Sequence, residues 1–130
     1  LTPETTHLIK KKTLSKMKKG VLLINTSRGE IVATLDLLNA INKGKVEGAG
    51  LDVIEGEDLI KEEKQALSQF DAKTIKKIEE CYNLLHNEKV VFTPHIAFYS
   101  QEALERILHT SIDNILAFIR NKPINLVKNV

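Results

Sequence analysis

The segment VLLINTSRGEIV, residues 21–32, places the strongest constraint on the fold, because it joins an apolar strand to a polar turn. Residues 21–25 are mostly apolar and do not alternate with polar residues, a pattern typical of a parallel strand that is buried on both faces. A polar turn comes next, with the residues Asn25, Thr26, Ser27, Arg28 and Gly29. A single arginine in a turn is usually solvated, so the role of Arg28 depends on which residues end the other strands.

Further strands alternate with helices along the chain. A helix at residues 13–19, with Gly20 as its left-handed cap, precedes the first strand. A second helix, at residues 35–42 with Thr34 as its N-cap, follows that strand. Two more strands are predicted, at residues 46–53 and 90–93. This alternation predicts an α/β fold with a doubly wound parallel sheet.

Two helical segments lie outside this simple alternation. A charged insertion at about residues 57–89 predicts one or two surface helices, one of them starting at Asp71. Its apolar stripe is predicted to consist of Ile75, Ile78, Tyr82 and Leu85. Residues 100–120 predict a long helix with apolar residues on overlapping faces, which indicates burial between two bodies.

Composition excludes several classes of function. The 130 residues carry a net charge of +2, and the lysines alternate with acidic residues, so we expect neither a nucleic-acid partner nor a membrane partner. The single cysteine, Cys81, excludes an internal disulfide and fits a reducing compartment, which favours the cytoplasm. The chain starts at Leu1 as if inside a fold, and we expect it to be part of a longer protein.

Chemistry-bearing residues lie at the ends of all three predicted strands. The second strand leads into Asp52 and the residues up to Glu57, and the third leads into His95. Because ligands of open parallel sheets bind outside the carboxyl ends of the strands, one edge would collect a cation, several carboxylates and an imidazole. His95 is the strongest candidate, since a neighbouring carboxylate would stabilise its protonated form.

The other histidines and the cysteine have simpler explanations. His86 ends a helix and is expected to be a favourable cation at that helix terminus. His7 and His109 have no carboxylate or cysteine at ligand spacing, so no metal site is predicted. Cys81 lies on a helical stripe and is expected to be a packing residue.

The glycine pair Gly48 and Gly50 resembles a nucleotide-binding loop only superficially. No third glycine follows at the required spacing. The pair also lies where the chain enters a strand, whereas the glycines of the dinucleotide-binding fingerprint follow the end of a strand. We therefore expect these glycines to permit close packing of the backbone.

Four motifs occur in a distinctive order: LTPETTHLI, INTSRGEIV, GAGLDVIEGE and TPHIAFY. Together they resemble the nicotinamide-binding domain of the D-isomer-specific 2-hydroxyacid dehydrogenases. The resemblance implies a Rossmann-type domain, with residues 1–120 as the C-terminal part of the NAD-binding domain and residues 121–130 returning to a missing substrate domain. The helix at residues 100–120 would then be the linker between the two domains. We expect the isolated chain to be inactive, because it lacks the glycine loop that holds the pyrophosphate.

The resemblance also implies roles for individual residues. His95 would be the acid/base, Glu57 its carboxylate partner, and Arg28 the anchor for the substrate carboxylate and carbonyl. Contacts to the cofactor, NAD, are implied for Thr5, Thr26, Ser27, Asp52 and Ala97. The substrate pocket would be lined by Arg28, Phe98 and Tyr99.

The implied activity is reduction of a small, pyruvate-like 2-oxo acid to the D-2-hydroxy acid by an NAD-dependent oxidoreductase, a homodimer in its full-length form. The helical insertion and the Phe98–Tyr99 pair favour enzymes like D-lactate dehydrogenase. Glu57 disfavours the formate dehydrogenases, which have glutamine at this position. Two alternatives stay open: a hydroxypyruvate or phosphoglycerate type of dehydrogenase, and an NAD-binding corepressor of the same fold, which would retain similar catalytic residues.

Overall fold

The computed structural model describes residues 1–57 and 71–127. The chain forms two compact units, residues 1–95 and residues 96–130. The expected domain bounds, 1–120 and 121–130, stay predictions.

The first unit contains a parallel sheet. Its elements in chain order are α1 (Lys11–Lys16), β1 (Val21–Asn25), a 3₁₀ turn (Gly29–Ile31), α2 (Thr34–Asn42), β2 (Val46–Leu51), α3 (Ala72–Leu85) and β3 (Val90–Phe92). The strands lie in the order β1-β2-β3, with Asn25 opposite Leu51 and Leu51 opposite Phe92. The predicted α/β fold with a parallel sheet is therefore confirmed, and the three carboxyl ends lie at one edge.

Only one face of this sheet is buried, so the prediction that β1 is buried on both faces was wrong for the described residues. Leu23 and Ala49 belong to the core, whereas Leu22 and Ile24 are 68% and 76% exposed. Right-handed crossovers between sequential parallel strands place both connecting helices on the same face. Residues 1–57 and 71–95 accordingly leave the second face uncovered, and its apolar side chains predict a further layer.

α1 begins and ends earlier than predicted. It spans Lys11–Lys16 instead of residues 13–19, because the Thr13 hydroxyl accepts a hydrogen bond of 2.8 Å from the Lys10 N–H and so closes the first turn. Gly20 has the expected positive φ, +79°, but it lies beyond the helix, in the turn that enters β1. The prediction of Gly20 as a helix cap was therefore wrong.

Smaller differences concern α2 and the strand ends. Ala33, not Thr34, occupies the N-cap position of α2, and Thr34 is a buried residue of the first turn. β2 ends at Leu51 and β3 at Phe92, both earlier than predicted. The polar segments after these strands therefore begin at Asp52 and Thr93.

The start of α3 agrees with the sequence, and its buried face agrees in part. Asp71 caps the helix, since its Oδ1 accepts a hydrogen bond of 2.8 Å from the Thr74 N–H. Leu85 of the predicted stripe packs against the core and Ile78 is half-buried, whereas Ile75 and Tyr82 are exposed. The fully buried residues are Cys81 and Leu84, so the face that packs into the core is shifted from the predicted stripe toward these two residues. The rest of the predicted insertion, residues 58–70, lies outside the described residues.

The second unit is dominated by α4 (Gln101–Ile119). Ser100 is the N-cap of α4, and its hydroxyl accepts a hydrogen bond of 3.2 Å from the Ala103 N–H. No residue of α4 is buried, so the expected burial between two bodies is not present in the described chain. Despite its apolar residues, α4 is not long and apolar enough to cross a membrane, and neither is another helix among the described residues.

The packing of α3 generates the first prediction. Leu84→Ala should lower the free energy of unfolding by about 2–5 kcal/mol, since the side chain is fully buried and its removal leaves a cavity. Ile75→Ala, on the same helix but exposed, should change it by about 0.5 kcal/mol or less. Urea denaturation of both variants checks this, and equal losses would contradict the observed face of α3.

Candidate active site

The backbone of Asp52 joins the three strand ends. Its N–H donates to the carbonyl oxygen of Asn25 (2.9 Å), and its own carbonyl oxygen accepts from the N–H of His95 (2.8 Å). The hydrogen bonding of the sheet thus continues one step beyond the strands. The loops after the strands therefore leave the sheet from points that backbone hydrogen bonds fix.

The turn that carries Arg28 is held from inside by Asn25. The buried Asn25 amide donates through Nδ2 to the carbonyl oxygen of Arg28 (2.8 Å) and accepts through Oδ1 from the N–H of Ser27 (3.1 Å). The guanidinium of Arg28 is exposed, and its Nη1 donates to the carbonyl oxygen of Ser27 (2.7 Å). Arg28 was predicted from its place after a buried strand, whereas no sequence pattern indicated that Asn25 holds the turn.

Gly29 is required by space. A Cβ on Gly29 would lie 2.1 Å from both the carbonyl carbon and the oxygen of Ile54, and 2.5 Å from the nitrogen of Glu55. The Arg28 turn therefore packs directly on the backbone of the loop that leads to Glu57. A Cβ on Gly48 would also meet backbone, Lys89 O at 3.0 Å, so the close backbone packing expected of the glycine pair is confirmed at Gly48. At Gly50 the expectation was wrong, because the nearest atom to its Cβ would be a side-chain carbon of Ile24, at 3.7 Å.

The carboxylate of Asp52 is buried at the end of β2. Its side chain is among the few buried charged groups of the described residues, with 4% of the residue exposed. The Thr93 hydroxyl donates to its Oδ1 (2.5 Å), which ties the second strand end to the third. A buried acceptor thus lies where open parallel sheets bind their ligands.

His95 has a left-handed backbone conformation, with φ of +57°. Its N–H donates to two carbonyl oxygens, those of Asp52 (2.8 Å) and Thr93 (2.9 Å), while its side chain is exposed. For a residue other than glycine this conformation costs about 1–2 kcal/mol, so the surrounding hydrogen bonds must stabilise it. Such strain is concentrated at functional sites, where it orients a side chain.

Glu57 lies at the end of the described part of the second loop. Its N–H donates to the carbonyl oxygen of Ile54 (3.3 Å), and the residue is half-buried. Gly56, immediately before it, has a φ of +79°, which glycine adopts without steric cost.

Glu55 forms the ion pairs of this loop. Its Oε1 lies 3.0 Å from Nε2 of His7 and 3.2 Å from Nζ of Lys77. Burial raises the pKa of Glu55, but the hydrogen bonds and positive charges of His7 and Lys77 outweigh burial and hold the pKa below its usual value. The carboxylate is therefore ionised at neutral pH. The sequence offered no signal for the pairing of His7, because its partner is distant along the chain.

Cys81 is a buried thiol in contact with the same loop. Burial is the main cause that raises the pKa of Cys81, followed by the negative charges of Glu55 and Glu80. The neutral thiol donates to the carbonyl oxygen of Glu55 (Sγ–O 3.1 Å). The packing role predicted for Cys81 is confirmed, with this hydrogen bond in addition.

The remaining predicted cofactor and substrate residues are distributed over both units. In the first unit Thr26 and Ser27 are exposed in the Arg28 turn, and the Thr5 hydroxyl accepts from the Thr2 N–H (2.8 Å) in an N-terminal turn. Ala97, Phe98 and Tyr99 belong to the second unit, where the two aromatic rings make an edge-to-face contact (6.1 Å). The roles of all of these residues stay predictions.

A cavity of about 400 Å³ opens elsewhere, between α1 and α2. It is lined by Lys11, Leu14, Ser15, Asp36, Asn39, Ala40, Lys43 and Lys45. None of the strand-end residues contributes to it, so the shared edge at which the three strands end, and not cavity size, marks the candidate site.

Residues 1–97 match the model of the D-isomer specific 2-hydroxyacid dehydrogenase family, NAD binding domain. The chain belongs to this family. The matched region includes all three strand ends and reaches His95, so the resemblance expressed by the four sequence motifs is confirmed.

Individual relatives agree with the family assignment. The chain is 40% identical to 2-hydroxyacid dehydrogenase homolog 1 of Schizosaccharomyces pombe, over 99% of the chain and 38% of the relative. It is 32% identical to hydroxypyruvate reductase of Blautia hydrogenotrophica, over 98% of the chain and 34% of the relative. The solved structure of D-lactate dehydrogenase from Aquifex aeolicus, complexed with NAD and lactic acid, matches with a TM-score of 0.73 and 38% identity, covering 94% of this chain and 35% of that one. The chain thus spans little more than a third of these proteins.

The contact at Gly29 generates the second prediction. Gly29→Ala should lower the free energy of unfolding by about 1–3 kcal/mol, since the backbone of Ile54 has to move to admit the methyl group. Gly50→Ala is the matched control, because its Cβ would meet only the Ile24 side chain, at 3.7 Å. Thermal and urea denaturation check both variants, and a Gly29→Ala protein as stable as Gly50→Ala would contradict the close approach.

Proposed function

We propose that the chain is part of an NAD-dependent D-2-hydroxyacid dehydrogenase that reduces a small 2-oxo acid, with pyruvate as the favoured substrate. The observation that carries the proposal is the arrangement of Arg28, Glu57 and His95 on three loops that leave one edge of a parallel sheet. A cation, a carboxylate and an imidazole are the groups needed to hold a 2-oxo acid and protonate its carbonyl oxygen.

Arg28 is proposed to bind the substrate. A 2-oxo acid presents a carboxylate next to a polarised carbonyl, and a guanidinium matches these oxygens with two directed donors. The rigid turn braced by Asn25 supports this role, since an anchor must keep the carbonyl carbon in place during the reaction.

His95 is proposed to donate the proton. As the carbonyl carbon C2 accepts a hydride, the carbonyl oxygen gains a proton from the imidazolium of His95 and becomes the hydroxyl group. The carboxylate of Glu57 would orient the imidazole and stabilise the imidazolium that donates the proton. The exposed ring and the strained backbone of His95 support this assignment.

The described residues fit the nicotinamide end of NAD, which supplies the hydride when it is bound in its reduced form. The buried Asp52 carboxylate is an acceptor suited to a carboxamide N–H, and Thr93 holds it in place. Thr5, Thr26, Ser27 and Ala97 are proposed as further contacts to the dinucleotide.

The choice of substrate separates two versions of this proposal. The relative crystallised with lactic acid, together with the proposed lining of the pocket by Phe98 and Tyr99, supports pyruvate. The similarity to a hydroxypyruvate reductase supports hydroxypyruvate as the second candidate. Comparing kcat/KM of the full-length enzyme for the two acids decides between them.

A homodimer in the cytoplasm is part of the same proposal.

The third prediction concerns His95. In the full-length enzyme His95→Gln should lower kcat by roughly a hundredfold or more, the usual scale for loss of a general acid. The KM for NADH should stay near the parent value, because the imidazole serves the substrate. Steady-state kinetics check this, with His86→Gln, which changes an exposed helix-end histidine, as the matched control. Near-normal turnover by His95→Gln would assign His95 a structural role.

The fourth prediction concerns Arg28. Arg28→Lys keeps the charge but loses the second directed donor, so it should raise KM for the 2-oxo acid and also lower kcat. Since a charged hydrogen bond contributes about 1.5–3 kcal/mol, kcat/KM should fall about tenfold to a hundredfold or more. The melting temperature and the KM for NADH serve as internal controls and should not change. A loss of less than about threefold would identify Arg28 as a solvated loop residue.

A further inference from the structure

Glu55 connects the loop that carries Glu57 to two other parts of the first unit. Its carboxylate lies within ion-pair distance of His7, in the N-terminal segment, and of Lys77, in α3. Its carbonyl oxygen accepts a hydrogen bond from Cys81, one turn further along α3. Side chain and backbone of this one residue are therefore both held, from different directions.

His7 is itself fixed to the chain segment after Arg28. Its N–H donates to the carbonyl oxygen of Glu30 (2.8 Å), and the N–H of Ile9 donates to the carbonyl oxygen of Ile31 (2.9 Å). His7 has a φ of +51°, a conformation that these backbone hydrogen bonds stabilise. The pair of His7 and Glu55 thus links the Arg28 turn to the Glu57 loop.

The carboxylate of Glu55 is less exposed to water than that of an ordinary surface pair, although its partners are not. The Glu55 side chain is 15% exposed, and those of His7 and Lys77 are 41% and 47% exposed, whereas in the pair of Lys89 and Glu47 (3.5 Å) the side chains are 45% and 62% exposed. Exposed ion pairs contribute little because water screens them, and screening weakens as a carboxylate becomes buried. Removing the charge of Glu55 should therefore loosen the loop that carries Glu57, whereas removing the charge of Lys89 should not.

We propose that Glu55 is a positioning residue that fixes the orientation of Glu57 for proton transfer through His95. The role rests on the proposed function, in which Glu57 supports the imidazolium. Glu55 and Gly56 are the central residues of a turn that is closed by the hydrogen bond from the Glu57 N–H to the Ile54 carbonyl oxygen (3.3 Å), and Gly56 supplies its positive φ of +79°. A displacement of Glu55 therefore moves Glu57, so the direction of Glu57 depends on how firmly Glu55 is held. A small displacement of a group that takes part in proton transfer is sufficient to slow the reaction strongly.

The kinetic test uses the full-length enzyme with pyruvate or hydroxypyruvate, whichever is turned over faster. Glu55→Gln keeps the size of the side chain and removes its charge, and it should lower kcat about tenfold with an unchanged KM for NADH. In an enzyme that already carries Glu57→Gln, adding Glu55→Gln should lower kcat by less than about twofold, because Glu55 acts through Glu57. Lys77→Met should show the same dependence on Glu57, and Lys89→Met is the matched control without effect.

A second readout does not depend on turnover. Amide hydrogen exchange of residues 53–57 should become faster in Glu55→Gln and His7→Gln, while exchange in β2 stays unchanged. Unchanged exchange at residues 53–57 would overturn the proposal. If Glu57→Gln itself lowers kcat, the proposal would also be overturned by a Glu55→Gln substitution that lowers kcat equally in the parent enzyme and in the Glu57→Gln variant. Parent-like turnover by Glu57→Gln would instead overturn the acid–base assignment of the proposed function, and the positioning role with it.

Discussion

The backbone of Asp52 is the connection on which the candidate site depends. Through its N–H and its carbonyl oxygen it extends the hydrogen bonding of the sheet to Asn25 on one side and His95 on the other. Backbone hydrogen bonds of this kind do not depend on a particular side chain, and the side chain of Asp52 is oriented separately, by the hydrogen bond from Thr93. One residue thus fixes where three loops begin and also offers a buried acceptor among them.

Side chains fix those parts of the loops that the backbone leaves free. The Asn25 amide braces the Arg28 turn, Gly29 lets that turn pack on the backbone of Ile54, and Glu55 ties its own loop to His7 and α3. Each of these contacts restrains a loop whose residues would otherwise be mobile, and restrained groups lose less entropy when a substrate has to be aligned. The charged and polar groups around the site are therefore themselves held by groups that have no proposed contact with the substrate.

The sequence predicted the elements that depend on local patterns. The apolar run before Asn25, the Asp71 cap and the order of strands and helices were all predicted, and they placed Arg28, Glu57 and His95 at one edge. Contacts between distant segments were not predicted, because no spacing rule connects His7 to Glu55 or Gly29 to Ile54. The buried face of α3 was predicted only in part for the same reason, since the residues that pack against the helix decide that Leu85 contacts the core and Ile75 does not. The exposed face of β1 shows what a strand pattern leaves open. An apolar pattern predicts that both faces of a strand are covered, but it does not predict which residues cover them.

The roles of Arg28, Glu57 and His95 can be tested in a crystal structure of the full-length protein with NAD and an unreactive 2-oxo acid analogue such as oxamate. We expect the analogue at the carboxyl edge of the sheet, with its carboxylate on the Arg28 guanidinium, its carbonyl oxygen within hydrogen-bond distance of the His95 ring, and Glu57 on the other side of that ring. An analogue bound away from these three side chains, or a His95 ring without Glu57 beside it, would refute these roles.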